Sequence, residues 1–194
     1  MGIVMSRKTR RVPVNLDPGD VKDLSEDEIR IILRGADELI MSGGRGLLAK
    51  VLKGSRQKVV FEHDLDRSPV YGALSDLSLA KITQRIDWLI INDYLRIEHD
   101  NRLPLLVYSD RGWAIEKETY ADELLERLDP MLEAGDSLRD LEWLTERNPK
   151  VLTRVLEKIA ERGDAKYLAV LERWQKTASR RMVSQIRGTI RTVG

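Results

Sequence analysis

Apolar positions between Leu24 and Leu106 recur first at helical and then at alternating spacing. Ile29, Ile32, Leu33, Ala36, Leu39 and Ile40 return at intervals of three and four, which predicts an amphipathic helix that stops before Ser42-Gly43-Gly44. Ser25 and Glu28 stand at its head with the spacing of a capping box. Leu47, Leu48, Val51 and Leu52 predict a second helix, with Gly54 placed to end it. The run KVVFE at 58–62 is rich in β-branched and aromatic residues and predicts a short strand. Asp66-Arg67-Ser68-Pro69 reads as a turn, followed by a brief helical turn near Tyr71. Ser78 caps a third helix, whose apolar face is Leu79, Ile82, Ile86, Leu89 and Ile90 and which Asn92-Asp93 closes. Two β runs follow at 94–98 and 105–109, around a polar tip at 99–104. In that tip Pro104 is best tolerated at a strand start or edge. This order of elements suits a winged helix.

After Trp113 the spacing is helical throughout. Leu124, Leu125 and Leu128 belong to one helix, with Pro130 as a kink or restart. Ser137 is placed to cap a segment carrying Leu138, Leu141 and Leu144. Asn148-Pro149 is a cap followed by proline at the first helical position, ahead of Val151, Leu152, Val155, Leu156 and Ile159. Gly163-Asp164 ends that helix and caps another, and residues 178–193 form the last, with Met182, Val183, Ile186 and Ile190. At the other end, Pro13, Pro18 and Gly19 discourage regular structure. The expected organisation is a flexible basic arm at 1–20, a winged-helix domain at 21–115 and an α-helical domain at 116–194. The fold class is mainly α with a small β wing.

The 194 residues are 42% apolar and 34% charged, enough for a core under a soluble surface. A net charge of +1 conceals segregated blocks. Arg45, Lys50, Lys53, Arg56 and Lys58 form a basic stretch without an acid, and residues 116–146 are acidic. From Lys176 onward there are five basic residues and no acid. Such blocks focus field locally even when the sum is near zero. The absence of cysteine excludes disulfides and thiolate metal sites and fits a reducing cytoplasm, the expected location. Basic residues after a short apolar patch at the N-terminus are the reverse of a secretory signal. No apolar run approaches the roughly 18 residues of a spanning helix, so no membrane partner is expected.

Four pieces carry a family resemblance: GLLAKVLKGS at 46–55, LDRSPVYG at 65–72, DLS at 76–78 and IDWLIINDYL at 86–95. In order and spacing they resemble the RQC domain, the winged helix of RecQ-type DNA helicases. The resemblance implies duplex or fork DNA as partner, held by phosphate at the end of the early helix and its Gly-Ser turn. Carried over, the anchoring positions are Lys53, Ser55 and Arg56. Lysine and arginine neutralise phosphate, and small residues let backbone N–H groups approach it. Lys81, Arg85 and Arg102 would extend the contact. The family's wing often bears an aromatic wedge; here Leu103 occupies that position, and leucine stacks poorly although it can wedge a base step. No G-x-x-x-x-G-K-[ST] phosphate loop is present, so the chain holds no helicase motor, and without cysteine the zinc module of many RecQ helicases has no ligands. The expectation is a stand-alone protein of the RQC-minor type acting in DNA repair, replication or recombination. The GDAxxLxxL spacing at 163–171 and SRRMV at 179–183 resemble a HEAT-like helix pair. That resemblance implies a protein-binding surface, with Arg180, Arg181, Arg187 and Arg191 either within reach of phosphate or simply solvated.

Catalysis finds little support. His63 and His99 are the only histidines, and adjacent strand residues such as His63 and Asp64 would point to opposite faces. The acidic run at 116–146 reads as a solvated face rather than a metal site. Trp88 stands where it would meet DNA or the wing, while Trp113, Trp143 and Trp174 read as packing residues. No enzyme activity, cofactor or metal is expected. The competing expectation is a protein-interaction adaptor, with the winged helix and HEAT-like helices as scaffold and the acidic run facing a basic partner.

Overall fold

In the computed structural model, which describes residues 11–133, 141–145 and 147–194, helix α1 spans Glu26–Ala36. The Ser25 hydroxyl accepts from the Glu28 N–H at 3.2 Å, and the Glu28 carboxylate accepts from the Ser25 N–H at 3.2 Å, so the predicted capping box closes both ways. A 3-10 turn, Asp37–Leu39, follows it. Helix α2 covers Arg45–Lys53 and ends on Gly54, as its spacing predicts. Helix α3, Lys58–Glu62, corrects the strand predicted for KVVFE. The sheet has only two strands among the described residues, and this segment is not one of them. A helical turn instead buries Val60 and lets Lys58 pair with Glu62 at 2.9 Å, so burial overrides β propensity.

Helix α4, Leu79–Ile91, is capped by Ser78 as expected. Strands β1, Leu95–Asp100, and β2, Leu103–Tyr108, form an antiparallel hairpin with Asp100 opposite Leu103. The strands run further toward the tip than the sequence predicts, leaving only Asn101-Arg102 as the turn. Asn101 takes φ +53°, a conformation asparagine tolerates. The Leu106 N–H donates to the Gly43 carbonyl at 2.9 Å, and its carbonyl accepts from the Met41 N–H at 3.0 Å. The backbone of Leu106 therefore faces away from β1, and by the alternation of an antiparallel ladder so does that of Pro104. The proline's missing N–H falls on the outer edge of β2, where the hairpin does not need it.

The apolar faces of α1, α2 and α4 close over the wing. Ile32, Leu33, Leu48, Leu52, Ile82, Ile86, Leu89, Leu95 and Leu106 are fully buried. This is a mainly α winged helix, and it lies in the first of two compact units, which meet between Glu116 and Lys117. Two ionic groups sit beneath its surface beside a partly exposed third: Arg34 lies 3.6 Å from Asp37 and 3.9 Å from Glu116, which has no exposed side-chain surface. Glu116 is thus a buried ion-pair member, a correction to its assignment to a solvated face.

Helix α5, Asp110–Glu133, starts on Ser109, whose hydroxyl accepts from the Gly112 N–H at 3.0 Å. A Cβ at residue 112 would lie 1.9 Å from the Tyr94 carbonyl oxygen, so only glycine lets this first turn press against the entry to β1. The helix does not restart at Pro130 but runs on to Glu133.

In the second unit, α5 continues, followed by α6 (Glu142–Thr145), α7 (Pro149–Arg162), α8 (Leu168–Thr177) and α9 (Arg180–Val193). Asn148 accepts from the Lys150 N–H ahead of Pro149, Gly163 ends α7 at φ +60°, and Ser179 caps α9. The predicted Ser137 cap and Leu138 lie outside the described residues. Val155, Ile159, Tyr167, Leu171, Trp174 and Ile186 are buried in the core of this unit.

Part of the acidic side of α5 is paired while remaining half-exposed. Glu118 meets Arg154 at 2.6 Å and Lys158 at 3.1 Å; Asp122 meets Lys158 at 2.8 Å. Asp129 meets Arg162 at 3.0 Å and Lys166 at 3.1 Å. Burial pushes the Glu118 carboxyl up, but hydrogen bonds from Arg154 and Lys158 outweigh it and hold its pKa below the ordinary value. Asp129 is lowered in the same way, burial being outweighed by bonds from Tyr167, Lys166 and Arg162.

Carboxylates with depressed folded pKa values contribute stability above their unfolded values, 4.5 for glutamate and 3.8 for aspartate, and lose it as pH falls through the folded values. The melting temperature should therefore hold between neutrality and about pH 5 and fall steadily below it. In the double variant Arg154→Met/Lys158→Met that fall should be shallower. An identical acid slope in variant and parent, measured by thermal circular dichroism, would refute the role given to these pairs.

Candidate nucleic-acid interface

The bend after α2 is clamped to the turn at 71–74. Gly54 at φ +71° faces Gly72 at φ +75°, and a Cβ on Gly54 would lie 3.0 Å from the Gly72 Cα. The Gly72 N–H donates to the Val51 carbonyl and the Leu74 N–H to the Leu52 carbonyl, each at 2.9 Å. The Tyr71 hydroxyl donates to the Ser55 carbonyl at 3.1 Å, and the Ser55 N–H donates to the Lys50 carbonyl at 2.9 Å. The GLLAKVLKGS and LDRSPVYG pieces therefore build one structural object. On it, Lys53 donates from Nζ to the Ser75 carbonyl, which ties the end of α2 to the approach to α4. Ser55 is half-buried, and its hydroxyl accepts from the Gln57 N–H at 3.4 Å. Arg56 is exposed and makes no ion pair with a described residue. Lys81, in the first turn of α4, is also exposed and unpaired among the described residues. Lys58 and Arg67 are partly neutralised by Glu62 and Asp64 in exposed pairs, which screen easily.

The outward face of α4 is occupied by the chain itself. Arg85 Nε donates to Glu28 Oε1 at 2.9 Å, and Arg85 Nη1 donates to the Lys81 carbonyl at 3.2 Å. Burial raises the Glu28 pKa, but bonds from Arg85 and Ser25 outweigh it and the net shift is downward. Trp88 donates from Nε1 to the Lys22 carbonyl at 3.3 Å, and its ring stacks on Tyr94 at 5.9 Å. Gly19 lies directly against Gln84. Asp87, 2% exposed, accepts from Arg45 Nη1 at 2.5 and 2.6 Å and from the Asp17 N–H at 2.9 Å. Arg45 thus joins a clasp between α2 and α4, Arg85 is an internal ion-pair partner, and Trp88 meets the N-terminal segment. None of the three extends the cationic bend. Of the arm expected at 1–20, Asp17 and Gly19 make two of these contacts.

At the wing, Arg102 and Leu103 are both exposed, Leu103 by 63%. The Val12 N–H donates to the Arg102 carbonyl at 3.3 Å, and His99 Nε2 lies 2.9 Å from the Val12 carbonyl. The wing meets the head of α2, where a Cβ on Gly44 would lie 3.0 Å from the Pro104 carbonyl. The bend lies at the other end of α2, about 13 Å away for nine helical residues. The structure therefore groups Lys53, Ser55 and Arg56 with the turn at 71–75, places Lys81 beside a hollow that Asp20, Asp23 and Glu28 also line, and sets Arg102 and Leu103 apart from the bend.

Sequence reasoning missed Phe61, 47% exposed on α3 beside the bend, because KVVFE read as a strand. It also missed Gly72 as the partner of Gly54, although the VYG tripeptide carries the signal. His63 follows α3 rather than lying on a strand, and Asp64 pairs with Arg67 at 3.5 Å. Among the described residues, no group of three or more His, Cys, Asp or Glu is placed to hold a metal. Nor is any helix there long and apolar enough to cross a membrane.

The family model for the RQC domain matches residues 19–124. The ATP-dependent DNA helicase RecQ of Bacillus subtilis (strain 168) is 35% identical over 69 residues, which are 36% of this chain and 12% of the helicase. The match thus spans a small part of that relative's length. No solved structure matches significantly.

The clamp makes its own forecast. Gly54→Ala should cost about 1–3 kcal/mol in urea unfolding, from left-handed strain and contact with the Gly72 backbone. Gly46→Ala, at a helical site with nothing within 4 Å of the added carbon, should be neutral or stabilising. Equal effects at the two glycines would contradict the clamp.

Proposed function

Because the chain belongs to the RQC domain family, we propose that it is a non-catalytic DNA-binding protein. In this reading its winged helix grips duplex or fork DNA through phosphate, in DNA repair, replication or recombination. The observation that carries this reading is the clamped Gly54-Ser55 bend with Arg56 exposed and unpaired beside it. Lys53 and Arg56 supply charge, and Ser55 is small enough for a phosphate oxygen to reach its hydroxyl, which can still donate. Lys81 joins from the first turn of α4, where the helix dipole also favours an anion. Arg102 and Leu103 form a second contact beyond the far end of α2. Their separation from the bend, about 13 Å along α2, compares with a major groove about 12 Å wide, so the two contacts suit opposite backbones of one duplex.

Coverage of α4 by residues 17–28 argues against base reading by the middle of that helix. Affinity should accordingly come from phosphate and depend little on sequence. Arg85, committed to Glu28, is left out of the contact set. The helical unit, HEAT-like in this reading, extends the domain. The adaptor alternative is weakened because Glu116, Glu118, Asp122 and Asp129 are already paired within their own units.

With about four phosphates neutralised, log K should fall against log salt with a slope of roughly −3 to −4. Lys53→Glu/Arg56→Glu should weaken binding to all duplex sequences alike, while Arg85→Gln should leave the slope unchanged and lower only stability. A slope near zero in fluorescence anisotropy would sink the proposal.

A further inference from the structure

Two groups of cations in the second unit differ in their surroundings. Arg154, Lys158, Arg162 and Lys166 each meet carboxylates. Those of α9 do not. No acidic residue follows Glu172 in the chain. Arg180, Arg181, Arg187 and Arg191 are all exposed, and none makes an ion pair with a described residue. At about 100° per residue, Arg180, Arg187 and Arg191 fall within roughly 40° of one another. They lie opposite Met182, Ile186, Thr189 and Val193, the residues α9 buries. The stripe is about 16 Å long.

Gly188 supplies a second, independent observation. It lies inside α9, where glycine is less stable than alanine. Nothing calls for it structurally: its φ is not positive, and an added Cβ would meet nothing within 4 Å. Ser184, also small and exposed, lies one turn before it. Both project between the Arg180–Arg187–Arg191 stripe and Arg181, so the helix presents a low floor flanked by guanidinium groups. Gly188 also lines a shallow groove between α7 and α9, with Thr153, Gln185, Thr189, Thr192 and Glu157, whose carboxylate is paired with Arg154 at 3.2 Å.

We infer that this face of α9 is a second phosphate-binding surface, which takes the sugar-phosphate backbone of a nucleic acid. Guanidinium forks bind phosphate oxygens bidentately, and a floor without side chains lets a linear polyanion lie against the helix. With one charge per 3.4 Å of each strand, about 16 Å of helix faces roughly five phosphates. The choice of nucleic acid over an acidic polypeptide rests on the proposed function of the first unit. Once that unit is bound, the encounter of α9 with the same molecule becomes intramolecular.

The test uses the full chain and a random-sequence duplex, with anisotropy read across a salt series. Arg180→Gln/Arg187→Gln/Arg191→Gln should weaken binding at low salt by about ten-fold or more and reduce the salt slope by about two to three. The substituted residues are exposed, so the melting temperature should not move. Gly188→Gln should raise the melting temperature and yet weaken binding several-fold, a pair of effects that a merely solvated helix would not show. An unchanged slope in the triple variant overturns the inference. So does loss of binding to poly-glutamate with duplex binding intact, which would assign the face to an acidic protein segment. The bend variant Lys53→Glu/Arg56→Glu in the same titration separates the two readings. If it is silent while the α9 variant responds, the bend fails and α9 stands; if only the bend variant responds, α9 fails.

Discussion

Two backbones touch at Gly54 and Gly72, and the shape of the candidate interface depends on that contact. Any side chain at residue 54 would push the end of α2 away from the turn at 71–74. The bonds from Gly72 and Leu74 to the last carbonyls of α2 would then lengthen, and Lys53 would lose its hold near Ser75. With the contact in place, the helix end, the Gly-Ser bend and the turn at 71–75 form one preorganised surface. Preorganisation matters for phosphate binding, because a loop already in place does not have to be ordered by its ligand.

Much of this was legible in the sequence wherever chemistry is local. Ser25 with Glu28, Ser78, Asn148 with Pro149 and Gly163 all do what their spacing predicts, since a cap needs only its own first turn. The bend was legible for the same reason, helped by the family resemblance. What sequence did not reveal depends on partners far along the chain. KVVFE has the composition of a strand but no strand to pair with. Arg85 and Trp88 look available until Glu28 and Lys22 are seen lying over them. Glu116 looks like one more member of an acidic run until Arg34 is found beside it in the core.

Three environments of charge bear on the function of this chain. A few groups are buried or partly buried and paired, as at Asp87 with Arg45 and at Arg34 with Asp37 and Glu116. Removing one partner there would leave an uncompensated charge in a dry setting. A second set, between α5 and α7, is half-exposed and arranged as a network, so it contributes modestly and responds to acid. The third set is exposed cations without carboxylates, at the bend, the start of α4 and along α9. A net charge of +1 describes none of these.

The hairpin carries a consequence of a different kind. A two-stranded sheet has two open sides, and each is a template on which a second molecule can add a strand. Here β2 spends the N–H and C=O of Leu106 on residues 43 and 41, and Pro104 offers no donor. Along β1, Arg96, Glu98 and Asp100 alternate with the inward residues and place charges of both signs on its surface. The outer edge of β2 is thereby blunted and β1 is marked with charge, two devices that make the wing a poorer template for strand addition.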